Sequence, residues 1–502
     1  MLDLKLEANR CLVCKNARCK SACPISTDIP TVINLYKENK IKEAGEILFK
    51  NNPLSAVCAI VCPHEDQCAG NCIRGIKGEP IQFYKIEEEI SKKFLEEASV
   101  DSLPKNNKNI AIVGSGPAGL TVALELAKKG YNITVFEKND QLGGILRYGI
   151  PEFRLPRDII DNLVKILKNM GVKFKINATV GPVITIEKLF KDGYDAIFIG
   201  TGVWNPRRLD IPGESLGHVH YAIDYLRSPK NYDLGDNVIV VGAGNVAMDA
   251  ARSAKHYGSK NVYVAYRRDF EDMTATKAEI KEAIEEDIEF MIYKAPIKIV
   301  NEGIILADTK KVIDENGKST LITVEGSEKL YKCDSVLVAV SQTPRNTIVS
   351  NNKGLDVNNR GLIMTDDSGH TTLDGVFACG NVVHVHDLVD FVTKESKIAG
   401  KNAALYSLNK LNKGNEVKTS AGEGIIYVVP QSVNVDGDED VNLFMRVRQI
   451  YKNKKLVVKS DDKVILEKKR LHMIPSEMEN IKISKDLFKD IKGNITVSVE
   501  EA

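Results

Sequence analysis

KNIAIVGSGPAGL, residues 108–120, decides the fold. Four apolar residues, Ile110 to Val113, make a short strand, and Gly114, Gly116 and Gly119 follow as G-x-G-x-x-G. Ser115 lies within that turn, Pro117 and Ala118 open a helix running to Lys129, and the next strand, NITVFEK, ends on Glu137 and Lys138. Glu137 stands 18 residues beyond the last glycine. Such a unit binds a dinucleotide for physical reasons. The glycines allow the tight turn, the approach of backbone to pyrophosphate and the packing of helix on strand, while the carboxylate suits ribose hydroxyls.

A second unit opens at NVIVVGAGNVAMDAAR, residues 237–252, with Gly242, Gly244 and Ala247 in the three fingerprint places and Asn245 and Val246 at the head of a helix running to Tyr257. Its second strand, NVYVAYRR, ends on Arg267 and Arg268 rather than on an acid. Guanidinium forks bind phosphate oxygens bidentately, so this pair argues for the 2'-phosphate of NADP(H), with NAD(H) as the alternative. Two such units predict two Rossmann-like nucleotide domains in an α/β chain.

Eight of the ten cysteines fall within the first 72 residues. They form two quartets: Cys11, Cys14, Cys19 and Cys23 before Pro24, then Cys58, Cys62 before Pro63, Cys68 and Cys72. These spacings fit iron–sulfur ligation in which the last ligand of one run crosses to the other cluster. A disulfide framework belongs to short secreted chains, and a zinc ribbon needs two C-x2-C pairs, whereas only Cys11 and Cys14 have that spacing. The opening MLDLKLEANR is charged rather than apolar, so the expected setting is cytoplasmic.

The chain has 502 residues and a formal charge of +1, with Lys and Arg spread along it and no apolar run of membrane length. Nucleic acid and bilayer are therefore not expected partners. Residues 25–57 read as helical with Thr27 or Asp28 as a cap, and PIQFYKIEEEISKKFLEEA as a charged helix before the SLPKNNK linker. The expected domains are a helical cluster domain over 1–104, a discontinuous domain over 105–232 and 346–412, a nucleotide domain over 233–345, and a small all-β domain over 420–502. Cys333 and Cys379 have no near partner and read as buried strand residues, which excludes a dithiol mechanism.

With the cysteine quartets, GSGPAGL, GGILRYGIPEFRLP, VVGAGNVAMDAAR and AYRRD on the page, residues 8 to 410 resemble the glutamate synthase small-subunit family. That family takes in the amino-terminal part of dihydropyrimidine dehydrogenase and the large subunit of NADH-dependent ferredoxin:NADP oxidoreductase. The resemblance implies FAD at the first fingerprint, NADPH at the second and two [4Fe-4S] clusters. It implies Cys11, Cys14, Cys19 and Cys72 for one cluster and Cys23, Cys62 and Cys68 for the other, with Glu87, in the stretch Glu87 to Glu89, or Cys58 as fourth ligand. Gly144 and Arg147 are implied to line the flavin, and the GTG edge at Gly202 to lie where the cofactor domains cross. Gly380 and Asn381 stand where the family has Gly-Asp, a departure that still leaves an amide for the ribityl or pyrophosphate region. His384, His386 and Asp387 follow; two histidines two apart face one way only on a strand, so packing beside the flavin is expected rather than a metal.

The expected activity passes electrons from NADPH through FAD and the clusters to a partner protein. Two alternatives are a self-contained NAD(P)H oxidoreductase reducing a small acceptor at the flavin and a bifurcating ferredoxin:NADP oxidoreductase large subunit. No acid–base triad is expected, because the cofactors carry the chemistry. The β domain reads as a docking surface or a stabilising cover.

Overall fold

The structure, a computed structural model, describes residues 2–100, 103–313, 319–345, 347–386, 388–475 and 477–502. Asp387 and the start of the linker at Ser102 lie outside the described residues. The chain divides into two compact units, one of Met1–Gly143, Asp158–Val203 and Pro344–Ala502, the other of Gly144–Arg157 and Trp204–Thr343.

The first unit begins with helices Leu4–Asn9, Arg18–Ala22, Ile29–Lys37, Ile41–Asn51, Ser55–Val61 and Phe83–Glu97. Apolar residues at helical spacing, among them Val32, Ile33, Ala44, Leu48, Ile86 and Ile90, close one core. Asp28 is the N-cap residue of Ile29–Lys37, yet its side chain accepts from Thr31 Oγ1 at 3.0 Å instead of from the helix backbone.

A five-stranded parallel sheet follows, in the order Val376–Ala378, Ala196–Ile199, Asn109–Val113, Asn132–Phe136, Lys173–Lys175. Helices Pro117–Lys128 and Val389–Ser407 pack on each other beside it. Gly400 faces Val122 across this contact, where a Cβ would stand 3.4 Å from Val122 Cγ1, an ordinary packing distance.

The carboxy-terminal part is all β, as the alternating runs predict. One sheet runs Ser432–Asn434, Glu416–Ala421, Ile495–Glu501, Tyr451–Ser460, Lys463–Met473, the other Ile425–Val429, Val441–Val447, Glu479–Ile483. Inward residues of both, including Ile425, Leu443, Leu456, Ile481 and Val497, share one core.

The second unit holds a parallel sheet in the order Val219–Tyr221, Ser335–Val338, Asn237–Val241, Asn261–Tyr266, Glu289–Ile292. Lys294–Val300 and Gly303–Ile313 begin an antiparallel sheet beside it in sequence. Segment Gly144–Arg157 is pinned here by half-buried Arg154, paired with buried Asp249 and Glu279 at 2.5 Å each. Breaking one side of a buried pair strands a charge, so the segment is fixed where it is.

Both remaining cysteines are buried, but each lies one residue past its strand, Cys333 after Lys329–Lys332 and Cys379 after Val376–Ala378. Cys379 Sγ sits 3.3 Å from Ser396 Oγ, a bond that a position beyond the ladder makes available. Both are free thiols.

Candidate functional site

The first fingerprint has the shape its sequence demands. Gly114 adopts φ +100°, and a Cβ on it would stand 2.7 Å from the Gly200 carbonyl oxygen. The helix Pro117–Lys128 thus starts at the strand end with its first amides free, an anion site. Ser115 N–H and Oγ both donate to Glu137 Oε2, at 3.0 and 2.7 Å, and Asn139 N–H donates to Oε1 at 2.9 Å. Glu137 is buried and Lys138 half-buried at the same strand end. Gly143 N–H in turn donates to Ser115 Oγ at 3.1 Å. Gly144 itself is the N-cap of the short helix Ile145–Tyr148, which carries Arg147.

Gly380, at φ +74°, would place a Cβ 3.5 Å from Ala118 Cβ, so the GN turn faces the first turn of the fingerprint helix. Gly202 also takes a positive φ, +69°, just past the strand Ala196–Ile199. The structure therefore places the Gly380 turn beside Ala118, in the first turn of the fingerprint helix. Asn381 Oδ1 accepts from His386 N–H at 3.0 Å.

His384 and His386 do converge, although the loop that carries them is not a strand. Their Nε2 atoms lie 2.5 and 2.7 Å from the two oxygens of Glu395 on helix Val389–Ser407. Burial pushes the His384 imidazole down. Burial alone would raise the Glu395 carboxyl, but the two imidazoles outweigh it and hold it well below the usual range. The clasp fixes the GN turn to the helix.

The second fingerprint repeats the turn: Gly242 has φ +140°, and a Cβ would stand 2.3 Å from the Ala339 carbonyl oxygen. Gly244 caps helix Asn245–His256, Val246 is half-buried, and Ala247 is fully buried in that unit's core. Arg267 and Arg268 are exposed at the end of strand Asn261–Tyr266, and neither guanidinium forms an ion pair among the described residues. A free pair of forks at this strand end fits a ribose phosphate.

The amino-terminal thiols form two neighbourhoods that meet where Cys68 shares a core with Cys11, Cys19 and Cys72. Burial raises Cys19 to about 11, and its further raising neighbours are Cys72, Cys11 and Cys14. Cys11 is likewise raised by burial first, with Cys72 and Cys14 among the causes. Cys23 is raised by burial and then by Asp390, and Cys68 by burial and then by Glu87, Cys23 and Cys19. Thiols crowded together and out of water resist ionising alone; iron, which binds thiolate, supplies the missing positive charge. The donor chemistry of both neighbourhoods fits clusters.

Glu87 departs from its neighbours. Glu88 and Glu89 pair with Lys92 and Lys93 one turn on, at 2.6 and 2.7 Å. Among the described residues Glu87 forms no side-chain hydrogen bond or ion pair, and burial and then Asp390 push its carboxyl well up. Cys58 instead is engaged: its Sγ donates to Asp390 Oδ1 at 2.9 Å, and Asn52 Nδ2 donates to the sulfur at 3.2 Å. Cys62 Sγ lies 3.3 Å from Asp390 Oδ2.

Asp390 is the residue that sequence reasoning missed. It is buried in the first turn of Val389–Ser407, a place where an acid is already explained by the helix dipole, and 332 residues separate it from Cys58. It ties the helix that backs the first fingerprint to the second thiol neighbourhood.

Comparison with known proteins agrees with this geometry. The family pattern "Pyridine nucleotide-disulphide oxidoreductase" matches residues 108–402, and "dihydropyrimidine dehydrogenase domain II, 4Fe-4S cluster" matches residues 3–99. Fold and sites define an NAD(P)H-dependent FAD oxidoreductase with an iron–sulfur domain. FprA of Mycobacterium tuberculosis in complex with NADPH shares the fold at a TM-score of 0.52 and 19% identity, over 62% of this chain and 88% of that one.

The chain belongs to the glutamate synthase small-chain family. It is 32% identical over 429 residues to the glutamate synthase [NADPH] small chain of Halomonas elongata, covering 80% of this chain and 91% of that one. The Escherichia coli small chain is 31% identical over 423 residues, covering 79% and 89%. The NADP(+)-dependent formate dehydrogenase subunit beta of Moorella thermoacetica is 31% identical over 471 residues, covering 85% and 64%. Among the described residues no helix is long and apolar enough to cross a membrane.

Proposed function

We propose that this chain oxidises NADPH at FAD and passes the electrons one at a time through two [4Fe-4S] clusters to a separate protein. The observation that carries this reading is Asp390, which joins the helix behind the first fingerprint to the thiols of Cys58 and Cys62. FAD accepts the two electrons of a hydride and releases them singly, and each cluster carries one.

The residues supply binding and position. The amides after Gly114 receive the FAD pyrophosphate, with Ser115 holding Glu137 in place, and Gly202, Gly380, Asn381, Gly144 and Arg147 complete the flavin's surroundings. Amides after Gly242 receive the nicotinamide nucleotide, with Arg267 and Arg268 on its 2'-phosphate. Cys11, Cys14, Cys19 and Cys72 hold one cluster; Cys23, Cys62, Cys68 and Glu87 hold the other. Relatives named as small chain or subunit beta support a partner that completes the chemistry.

Anaerobic titration tests the whole reading: NADPH is expected to bleach the flavin and then reduce both clusters, and an unbleached flavin would sink it. Replacing Arg267 and Arg268 by alanine removes two exposed phosphate contacts, each worth roughly 1.5 kcal/mol or about tenfold. KM for NADPH is therefore expected to rise about 10- to 100-fold, with NADH kinetics unchanged. An equal loss with both nucleotides would return the pair to a merely solvated role.

The fourth ligand has its own test. Glu87→Ala is expected to lower iron content and alter one cluster's reduced-state spectrum, while Cys58→Ala leaves both spectra in place. The opposite pattern assigns the iron to Cys58.

A further inference from the structure

We propose that the carboxy-terminal β domain positions the flavin site, with Phe444 and Arg446 as the residues that brace the turn at Gly380 and Asn381. This rests on the reading above that sets this turn beside the flavin. The domain lies beyond both matched family patterns, which cover residues 3–99 and 108–402, so neither pattern accounts for it.

The strand Val441–Val447 shows which way the domain is turned. Side chains alternate across a strand. Val441, Leu443, Met445 and Val447 fill the core shared by the two sheets of the domain. Phe444 and Arg446 fall on the opposite face, and Phe444 is only 6% exposed although it has no place in that core. Its cover is the histidine loop. The Phe444 ring centroid lies 5.2 Å from that of His384 and 5.9 Å from those of His386 and Phe391. Arg446 Nη2 donates to the carbonyl of Val385, between the two histidines, at 3.2 Å, and Nη1 donates to the Pro475 carbonyl at 3.3 Å. One guanidinium thus ties the loop to the β domain.

From the loop, contacts run on to the turn. Glu395, gripped by both histidines, also accepts from Gly380 N–H at 3.3 Å, and His386 N–H donates to Asn381 Oδ1. Hydrogen bonds to an ionised carboxylate are strong, but such a constellation keeps its geometry only when packing locks the rotamers of the residues that form it. The imidazoles lack a second polar anchor: Nδ1 of each is buried with no hydrogen-bond partner among the described residues. Phe444 against the rings and Arg446 on the backbone between them supply the lock from the β domain.

The test uses the full holo chain and hydrogen exchange, which reads the turn directly and needs no NADPH. In Phe444→Ala and in Arg446→Ala, the amides of residues 380–386 are expected to exchange about tenfold faster or more. Flavin affinity is expected to fall about tenfold, and the midpoint potential of the flavin to move. Glu395→Gln weakens the clasp itself, so in that background Phe444→Ala should add little, because both act through one set of contacts. Ile481→Val, a loss inside the β core, is the control: it lowers the unfolding temperature and leaves turn exchange and flavin potential as in the wild type. Unchanged turn exchange in Phe444→Ala and Arg446→Ala overturns the proposal, and so does an equal effect in Ile481→Val, which would reduce the brace to general stability. A zinc or iron atom beyond the clusters that is lost in Glu395→Gln also overturns it, since metal would then hold the three side chains. If the turn loosens while flavin affinity and potential stay unchanged, the brace stands and the placement of Gly380 and Asn381 beside the flavin falls.

Discussion

Replacing Cys72 with alanine is expected to remove the same cluster that Cys11→Ala removes, and to stop delivery of electrons to any protein acceptor. The reason is spatial. Cys72 packs against the same core as Cys11 and Cys19, although 53 residues separate it from Cys19 in the chain. Four thiolates are needed to close a cubane, and three with one open iron bind less tightly and exchange more freely. Iron is therefore expected to fall from about eight to about four per chain, with one of two reduced-state magnetic signals lost and the other intact. Flavin bleaching by NADPH should persist, because the first fingerprint lies in a separate part of the unit with its own core around Ile112 and Val113. Cys23→Ala and Cys68→Ala should together remove the other signal. If Cys72→Ala and Cys68→Ala erase one and the same signal, each run holds its own cluster and the crossed assignment is wrong.

What could be read in the sequence was whatever local chemistry dictates. A G-x-G turn needs positive φ at its first glycine, and both Gly114 and Gly242 adopt it, at +100° and +140°. Alternating apolar runs gave the strands Ile425–Val429 and Tyr451–Ser460, whereas polar Glu416–Ala421 and short Ser432–Asn434 offered no such pattern. Three acids in a row, Glu87 to Glu89, looked alike, and only the fold turns one of them toward thiols while its neighbours meet lysines. The period-two spacing of His384 and His386 gives a shared face only on a strand, yet a loop brings both to Glu395. Arg154 in GIPEFRLP carries no local signal of its role; its partner Asp249 is 95 residues away, and no local rule reaches that far. Long-range polar contacts of this kind, Asp390 included, are what sequence periodicity cannot encode.

Gly119→Ala is expected to strip the protein of flavin, and it sets two backbone effects against each other. Gly119 lies inside helix Pro117–Lys128, where alanine normally favours the helix by about 1 kcal/mol. A Cβ there, however, would stand 1.9 Å from the Gly114 carbonyl oxygen and 3.2 Å from Ile112 Cγ2. The oxygen is backbone at the turn itself, so relief requires the helix to lift from the strand, and overpacking of this kind costs roughly 3 kcal/mol or more. The clash wins, and it acts on the spacing that lets amides approach a pyrophosphate. Flavin affinity should drop about 100-fold or more, read as loss of the bound flavin spectrum on gel filtration, with iron content retained. The second fingerprint shows that the constraint is specific to the first: Ala247 occupies the matching place, fully buried, so there the helix already stands far enough off to admit a methyl group. Gly217→Ala provides the control, since a Cβ at that position meets nothing within 4 Å. A Gly119→Ala protein that keeps its flavin would mean that the helix can shift without loss of the site, and the close-packing role assigned to the third glycine would fall.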